Sequence, residues 1–124
     1  MKVRILGNSI RFRLRQKEVL QFQEQGEVRE ITCFGTGSAD RLSFVLKESL
    51  TKKFQIAFRL NTVTIEVPQS VCEEWTNTGL VGFEESIDTS KGEMINILVE
   101  KDFKCLDGSD AENEDAYENP NVQC

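Results

Sequence analysis

Displaced by 53 residues, this chain aligns with itself without a gap from its start to Lys101. Asn8 meets Asn61, Gln16 meets Gln69, Gly26 meets Gly79, Val28 meets Val81 and Thr36 meets Thr89. The apolar register continues through Val3/Ile56, Ile5/Phe58, Ile10/Val63, Phe12/Ile65 and Leu14/Val67. It resumes at Val19/Cys72 and Phe22/Trp75, then at Phe44/Ile97, Val45/Leu98 and Leu46/Val99. Agreement of strand, helix and turn positions over such a length reads as tandem duplication of one supersecondary unit. The repeats are 1–48 and 54–101, forming a single domain 1–101, and 102–124 is an acidic C-terminal tail.

Within the first unit, Val3 and Ile5 and then Ile10, Phe12 and Leu14 alternate with Lys2, Arg4, Ser9, Arg11 and Arg13. This period of two predicts two half-buried strands joined by a Gly7-Asn8 turn. The copy places Leu60-Asn61 at that turn. A short helix follows over 16–25, with Val19 and Phe22 on one face and Gly26 as its left-handed stop. In the copy, Pro68 suits the helix start, Cys72 and Trp75 share the inner face, and Gly79 is the expected stop. Two strands close each unit, 28–34 with 41–47 and 81–87 with 94–100. The last strand of each is apolar on both faces, as a central strand would be, and the third alternates so poorly that a bulge is expected. The expected fold is α+β: two tandem ββαββ repeats with pseudo-twofold symmetry, forming an antiparallel sandwich or closed barrel with two short helices.

Charge is informative once located. The net charge is −6. Residues 1–53 carry 11 Lys/Arg against 6 Asp/Glu, 54–101 carry 3 against 8, and 102–124 carry 1 against 7. The repeats balance each other and the excess lies in the tail, so the global acidity says little about the folded surface. No apolar run approaches the ~18 residues of a membrane span, and Met1 to Ile5 alternates like a strand rather than an export signal. A soluble, cytoplasmic protein is expected. In that compartment the four cysteines are not read as a disulfide framework, and Cys72, matching Val19, reads as a buried thiol.

Histidine is absent, which removes the usual general base and the commonest transition-metal ligand. The cysteines lack C-x-x-C spacing, and Asp107, Asp110, Glu112, Glu114 and Asp115 fail the calcium-loop pattern, because Gly108 directly follows Asp107. Gly35-Thr36-Gly37-Ser38 joins two strands and has no following helix to receive a phosphate. No cofactor and no metal are expected. The adjacent carboxylates Glu73-Glu74 and Glu84-Glu85 point apart and read as solvated surface.

One feature breaks a local rule. A two-residue turn at Gly7-Asn8 pairs Arg4 with Arg11 and Lys2 with Arg13, two like-charged cross-strand pairs on one face. The equivalent pairs in the copy, Ala57 with Thr64 and Gln55 with Glu66, carry no such conflict. Lys2, Arg4, Arg11 and Arg13 are therefore the candidate anion- or partner-binding residues. A structural reading stands beside it, in which a neighbouring strand brings Glu or Asp alongside. The acidic tail, anchored by Phe103, Leu106 and Tyr117, is a further candidate to cover that face.

The start, Met1-Lys2-Val3-Arg4 with Gly7-Asn8-Ser9-Ile10-Arg11, together with Val99 to Leu106, resembles an uncharacterised bacterial domain family. In that family an acidic end carries a Phe-Pro-Asn-Pro-like motif, and Tyr117-Glu118-Asn119-Pro120 departs from it by Tyr for Phe and Glu for Pro. The resemblance implies a bacterial origin and no assigned activity. The leading functional reading is a non-enzymatic binding or interaction module with a basic patch on the first hairpin. Its partner would be an unknown protein or an anionic small molecule; nucleic acid is disfavoured, since the one Trp and one Tyr are not interleaved with the basic strip. The alternative is an enzyme or carrier for a phosphorylated small molecule in a β-barrel lined by Arg4, Arg11, Arg13 and Glu66.

Overall fold

The computed structural model describes residues 1–89, 91–103 and 115–118. Its strands are β1 (Lys2–Leu6), β2 (Ser9–Leu14), β3 (Glu27–Cys33), β4 (Arg41–Ser49), β5 (Gln55–Arg59), β6 (Thr62–Pro68), β7 (Gly82–Asp88) and β8 (Met94–Lys101). Helix α1 (Gln16–Gln25) follows β2 and helix α2 (Gln69–Asn77) follows β6. The protein is thus α+β, with two four-stranded sheets ordered β1-β2-β8-β7 and β3-β4-β6-β5.

The strand order corrects two expectations. Among the described residues the sheets stay separate, so there is no closed barrel. The sheets are also mixed, because their central pairs, β2 with β8 and β4 with β6, run parallel. Hairpins can supply only antiparallel neighbours; a parallel pair needs a crossover. Helix α1 carries the chain from the first sheet to the second and α2 carries it back, which brings β8 beside β2, whereas β4 and β6 are joined within the second sheet through the edge strand β5. Each ββαββ run therefore places one hairpin in each sheet. The strands apolar on both faces, β4 and β8, take inner positions, and in β4 both Val45 and Leu46 are buried.

The core lies between the sheets and beneath the helices. Phe12 of β2 meets Phe44 of β4 edge-on at 6.1 Å. Val19 and Phe22 are the buried residues of α1, and Cys72 and Trp75 those of α2. Trp75 is fully buried, 6.0 Å from the Phe22 ring and 5.5 Å from Phe83 of β7. Its indole N–H donates to the Val81 carbonyl at 3.1 Å, satisfying the one polar atom that this burial removes from water. Phe83 in turn meets Phe54 at 5.9 Å.

Local turns differ between the two runs. Gly7 has φ 55°, whereas both Leu60 and Asn61 are left-handed, at 50° and 58°. Asn8 and Asn61 serve alike beyond their turns: their carbonyls accept from Asn96 N (3.0 Å) and Ser43 N (2.9 Å). Gly26 is left-handed at φ 73° and closes α1 by donating to the Phe22 carbonyl at 2.8 Å. Gly79 is not the stop of α2. Thr78 closes that helix in extended conformation, its hydroxyl donating to the Glu74 carbonyl (2.6 Å) and accepting from Leu80 N (3.1 Å). The expected bulge in the third strand is absent too, since β3 and β7 pair one-to-one with β4 and β8. The broken alternation in β3 has another cause. Glu30 extends to the terminal ammonium of Met1, with Nα–Oε2 at 2.8 Å, and Glu18 of α1 pairs with the same ammonium.

No helix among the described residues is long and apolar enough to cross a membrane. Trp75→Ala is expected to cost about 3–5 kcal/mol in a urea titration, the range for removing a large buried aromatic. A loss below about 1 kcal/mol would disconnect α2 from the core.

Cys72 provides a second check. Burial, reinforced by Glu48, pushes its thiol up to about 12, and its Sγ lies 3.6 Å from the Val67 carbonyl. Cys33 is exposed. Iodoacetamide at pH 8 followed by peptide mapping should modify Cys33 and spare Cys72 until urea unfolds the chain. Because the folded thiol titrates above the ordinary value of 9.0, its contribution to stability is complete below that pH and is lost as pH rises towards 12.

Candidate functional site

The pleat decides which residues can form a site on the first sheet. Val3, Ile10, Phe12 and Leu14 point inward, with the exposed Ile5 on the same side at the hairpin end, so Lys2, Arg4, Arg11 and Arg13 must share the opposite, outer face. The β1–β2 register is continuous, with Lys2 opposite Arg13 and Arg4 opposite Arg11. All four cations meet on one surface.

The parallel neighbour β8 then sets Glu100 beside Arg13 and Leu98 beside Arg11. Arg13 Nε donates to Glu100 Oε1 at 2.7 Å, and Arg11 Nη1 lies 3.6 Å from the same oxygen. One carboxylate serves two guanidinium groups. Lys2 Nζ pairs with Oδ2 of the buried Asp102 at 2.8 Å, so that oxygen has an ionic partner although it accepts no hydrogen bond of good geometry. Arg4 has no ion pair among the described residues.

The surplus positive charge is therefore concentrated at Arg4 and Arg11. Burial, together with Arg13 and then Arg4, pulls the Arg11 pKa below its usual value, against the opposing pull of Glu100. Next to this pair is an open cavity of about 360 Å³, whose lining includes Ser9, Asn96, Leu98 and Glu84. Its hydroxyl, amide and guanidinium groups supply donors for an oxyanion, and the Glu84 carboxylate opposes one. Among the described residues no group of three His, Cys, Asp or Glu is arranged to hold a metal ion.

Part of the C-terminal segment reaches the body at another place. Arg15, in the N-cap position of α1, has a side chain with no acceptor atom. Asp115 supplies the acceptors instead: its carbonyl takes Gln16 N at 3.1 Å and its Oδ2 takes Lys17 N at 3.0 Å. Glu18 Oε1 accepts from Arg15 N at 3.0 Å. Ala116 is buried beside this contact, and its carbonyl accepts from Gln16 Nε2 at 3.1 Å. The Phe103 and Tyr117 rings pack at 5.7 Å, and Lys101 Nζ sits 5.7 Å above the Tyr117 ring while donating to the Thr78 carbonyl. Burial, with Asp115 adding, raises the Tyr117 phenol above its usual range. Asp115 and Ala116 thus engage the start of α1, Tyr117 engages Asp102 and Phe103, and Asp102 is the described residue of the acidic end that pairs with the hairpin cations. Leu106, the run 107–114, Cys105 and Cys124 lie outside the described residues.

Neither Glu100 nor Asp115 stands out by local pattern. Glu100 becomes relevant only when β8 is placed beside β2, and Asp115 only when the chain returns to α1. The absence of Ser, Thr, Asp or Asn before a helix at position 15 is the single signal that an acceptor must come from elsewhere.

These features define an α+β domain of two mixed sheets, whose first sheet carries four basic residues on its outer face, Lys2, Arg11 and Arg13 being ion-paired among the described residues. The chain belongs to DUF7009, a family of unknown function, whose match covers residues 1–121. No curated protein and no solved structure matches it.

Asp115→Ala should lower stability by about 0.5–2 kcal/mol, the range for deleting a helix N-cap acceptor. Asp115→Asn should retain most of it, because the amide oxygen still accepts and Asn tolerates the φ of 55° found here. Equal urea midpoints for wild type and Asp115→Ala would show that the contact contributes nothing.

Proposed function

We propose that the chain is a binding or interaction module whose first sheet receives an anionic group, carboxylate or phosphate, between Arg4 and Arg11. The supporting observation is the unequal neutralisation of the outer face. Glu100 answers Arg13 and reaches Arg11 only at 3.6 Å, Asp102 answers Lys2, and Arg4 has no ionic partner among the described residues. Two guanidinium groups directly opposite each other repel. An oxyanion between them removes the repulsion and accepts hydrogen bonds from both planar forks. The anionic group belongs to a partner protein or to a small molecule, and either presents the same chemistry.

The duplication belongs to this reading. Ser9 lies opposite Asn96 in one parallel pair and Thr62 opposite Ser43 in the other, and each position is displaced by 53 from its counterpart. This supports a pseudo-twofold arrangement of two ββαββ runs. The outer hairpins depart from it: Gly82 is opposite Glu100, while its counterpart Arg29 is opposite Val45 rather than Lys47. A duplicated frame with unlike outer faces leaves the basic face as a property of the first run alone.

Titration with inorganic phosphate at low ionic strength, followed by amide NMR, tests the site. Saturable shifts are expected at Ser9, Arg11, Asn96 and Leu98. Arg4→Gln with Arg11→Gln should weaken binding at least tenfold, and Glu100→Gln should strengthen it by freeing Arg11. Added salt should weaken it by screening. Absence of shifts at those residues, or an unchanged affinity in the double variant, overturns the assignment.

A further inference from the structure

The outer face of the second sheet is a different surface, and nothing in the preceding assignment requires it. A cavity of about 680 Å³ opens there over Val45, Ala57 and Thr64 and extends past Phe54 to Ile87 and Asp88 of β7, within the size range of small-molecule sites. Around it the sheet sets charges of alternating sign: Glu27 is opposite Lys47, and Lys47 is opposite Glu66. Arg29 lies across from Val45, and Lys53 stands at the same rim.

Opposite charges directly across strands ordinarily close on one another. On the first sheet the matching pair does so, Arg13 to Glu100 at 2.7 Å. Here Glu66 and Lys47 occupy the corresponding positions with the signs exchanged, yet neither forms an ion pair among the described residues. The same holds for Glu27, Arg29 and Lys53. The cleft thus keeps both signs of charge apart around the apolar surfaces of Ala57 and Phe54, with Val45 covered beneath them at 2% exposure. Phe54, held against Phe83, provides a firm aromatic wall.

We propose that this cleft binds a zwitterionic molecule of dipeptide size. Its carboxylate lies towards Arg29, Lys47 and Lys53, its ammonium towards Glu27 and Glu66, and its apolar side chain on Ala57 and Phe54. The charge pattern selects this class. A simple anion meets the carboxylates of Glu27, Glu66 and Asp88, and a simple cation meets the three basic groups, so each carries a repulsive term alongside its attraction. A zwitterion of matching span gains both attractions and brings no net charge into the cleft.

The dipeptide Phe-Ala, its N-acetyl form and its C-terminal amide, titrated separately into the full chain, decide the matter by amide NMR. Free Phe-Ala is expected to give saturable shifts at Val45, Ala57 and Thr64, and each blocked form to bind at least tenfold more weakly. Arg29→Gln should abolish discrimination against the amide, and Glu66→Gln discrimination against the acetylated form. The variant carrying Arg4→Gln and Arg11→Gln should bind Phe-Ala as wild type does, which separates this site from the one on the first sheet. The proposal is overturned if no saturable shift appears at millimolar dipeptide, or if the blocked forms bind equally well. It is likewise overturned if inorganic pyrophosphate shifts the same residues at lower concentration than Phe-Ala.

Discussion

The parallel pairing of β2 with β8 and of β4 with β6 is the constraint on which the rest of the structure depends. Parallel neighbours cannot be made by a tight turn: β5 separates β4 from β6 along the chain, and β2 meets β8 only after the chain has built the second sheet and come back. The two helices are the carriers. Their inner faces must therefore be apolar, and a helix of ten residues has little stability apart from such packing. The ring sequence Phe22, Trp75, Phe83 and Phe54 joins α1, α2, β7 and the entry to β5 through contacts between 5.5 and 6.0 Å. Neither ββαββ run can complete a four-stranded sheet by itself.

The same pairing governs the charges. In an isolated hairpin the face bearing Lys2, Arg4, Arg11 and Arg13 would repel itself, and the repulsion would favour fraying of β1. Beside β8, the hairpin acquires Glu100 as a shared acceptor, and Asp102 continues the line to Lys2. The compensation comes from the other end of the chain, so assembly of the first sheet and neutralisation of its surface are one event. Among the described residues it stops short of Arg4. A face built only for solubility has no need to crowd two arginines opposite each other, since charges spread over the surface achieve that without repulsion.

What could be read in the sequence follows the range of the forces involved. Period-two alternation at Ser9–Leu14, the helical faces Val19/Phe22 and Cys72/Trp75, and the left-handed Gly26 are local features, and each is expressed where the residue pattern puts it, whereas in the edge strand β1 Ile5 is exposed. The Arg4–Arg11 and Lys2–Arg13 register likewise follows from a two-residue turn. Sheet order is not local. Alternation states which face of a strand is buried and nothing about its neighbour, so parallel centres and separate sheets were hidden, and with them the approach of Glu100. Gly79 misleads for a related reason: the Thr78 hydroxyl sits one residue earlier and satisfies the Glu74 carbonyl before a left-handed turn is needed. Met1 to Glu30 similarly turns an apparent fault in β3 into an ion pair across elements.

The contrast between the outer faces carries the argument one step further. At the parallel centre of each sheet, one basic and one acidic residue stand side by side: Arg13 with Glu100, and Lys47 with Glu66. Guanidinium and carboxylate match as planar groups, and Arg13 Nε makes the short contact that fixes both. A lysine ammonium offers no planar fork and stays strongly hydrated, so less holds it against its neighbour. Exchanging the basic residue type and its strand thus closes one face and leaves the other open, while the buried sides of all four strands keep the same alternation. The fold tolerates this because none of these side chains reaches the core. Divergence of the two faces is then a matter of surface chemistry alone, and two surfaces with different ligand preferences can arise on one frame without a change in its packing.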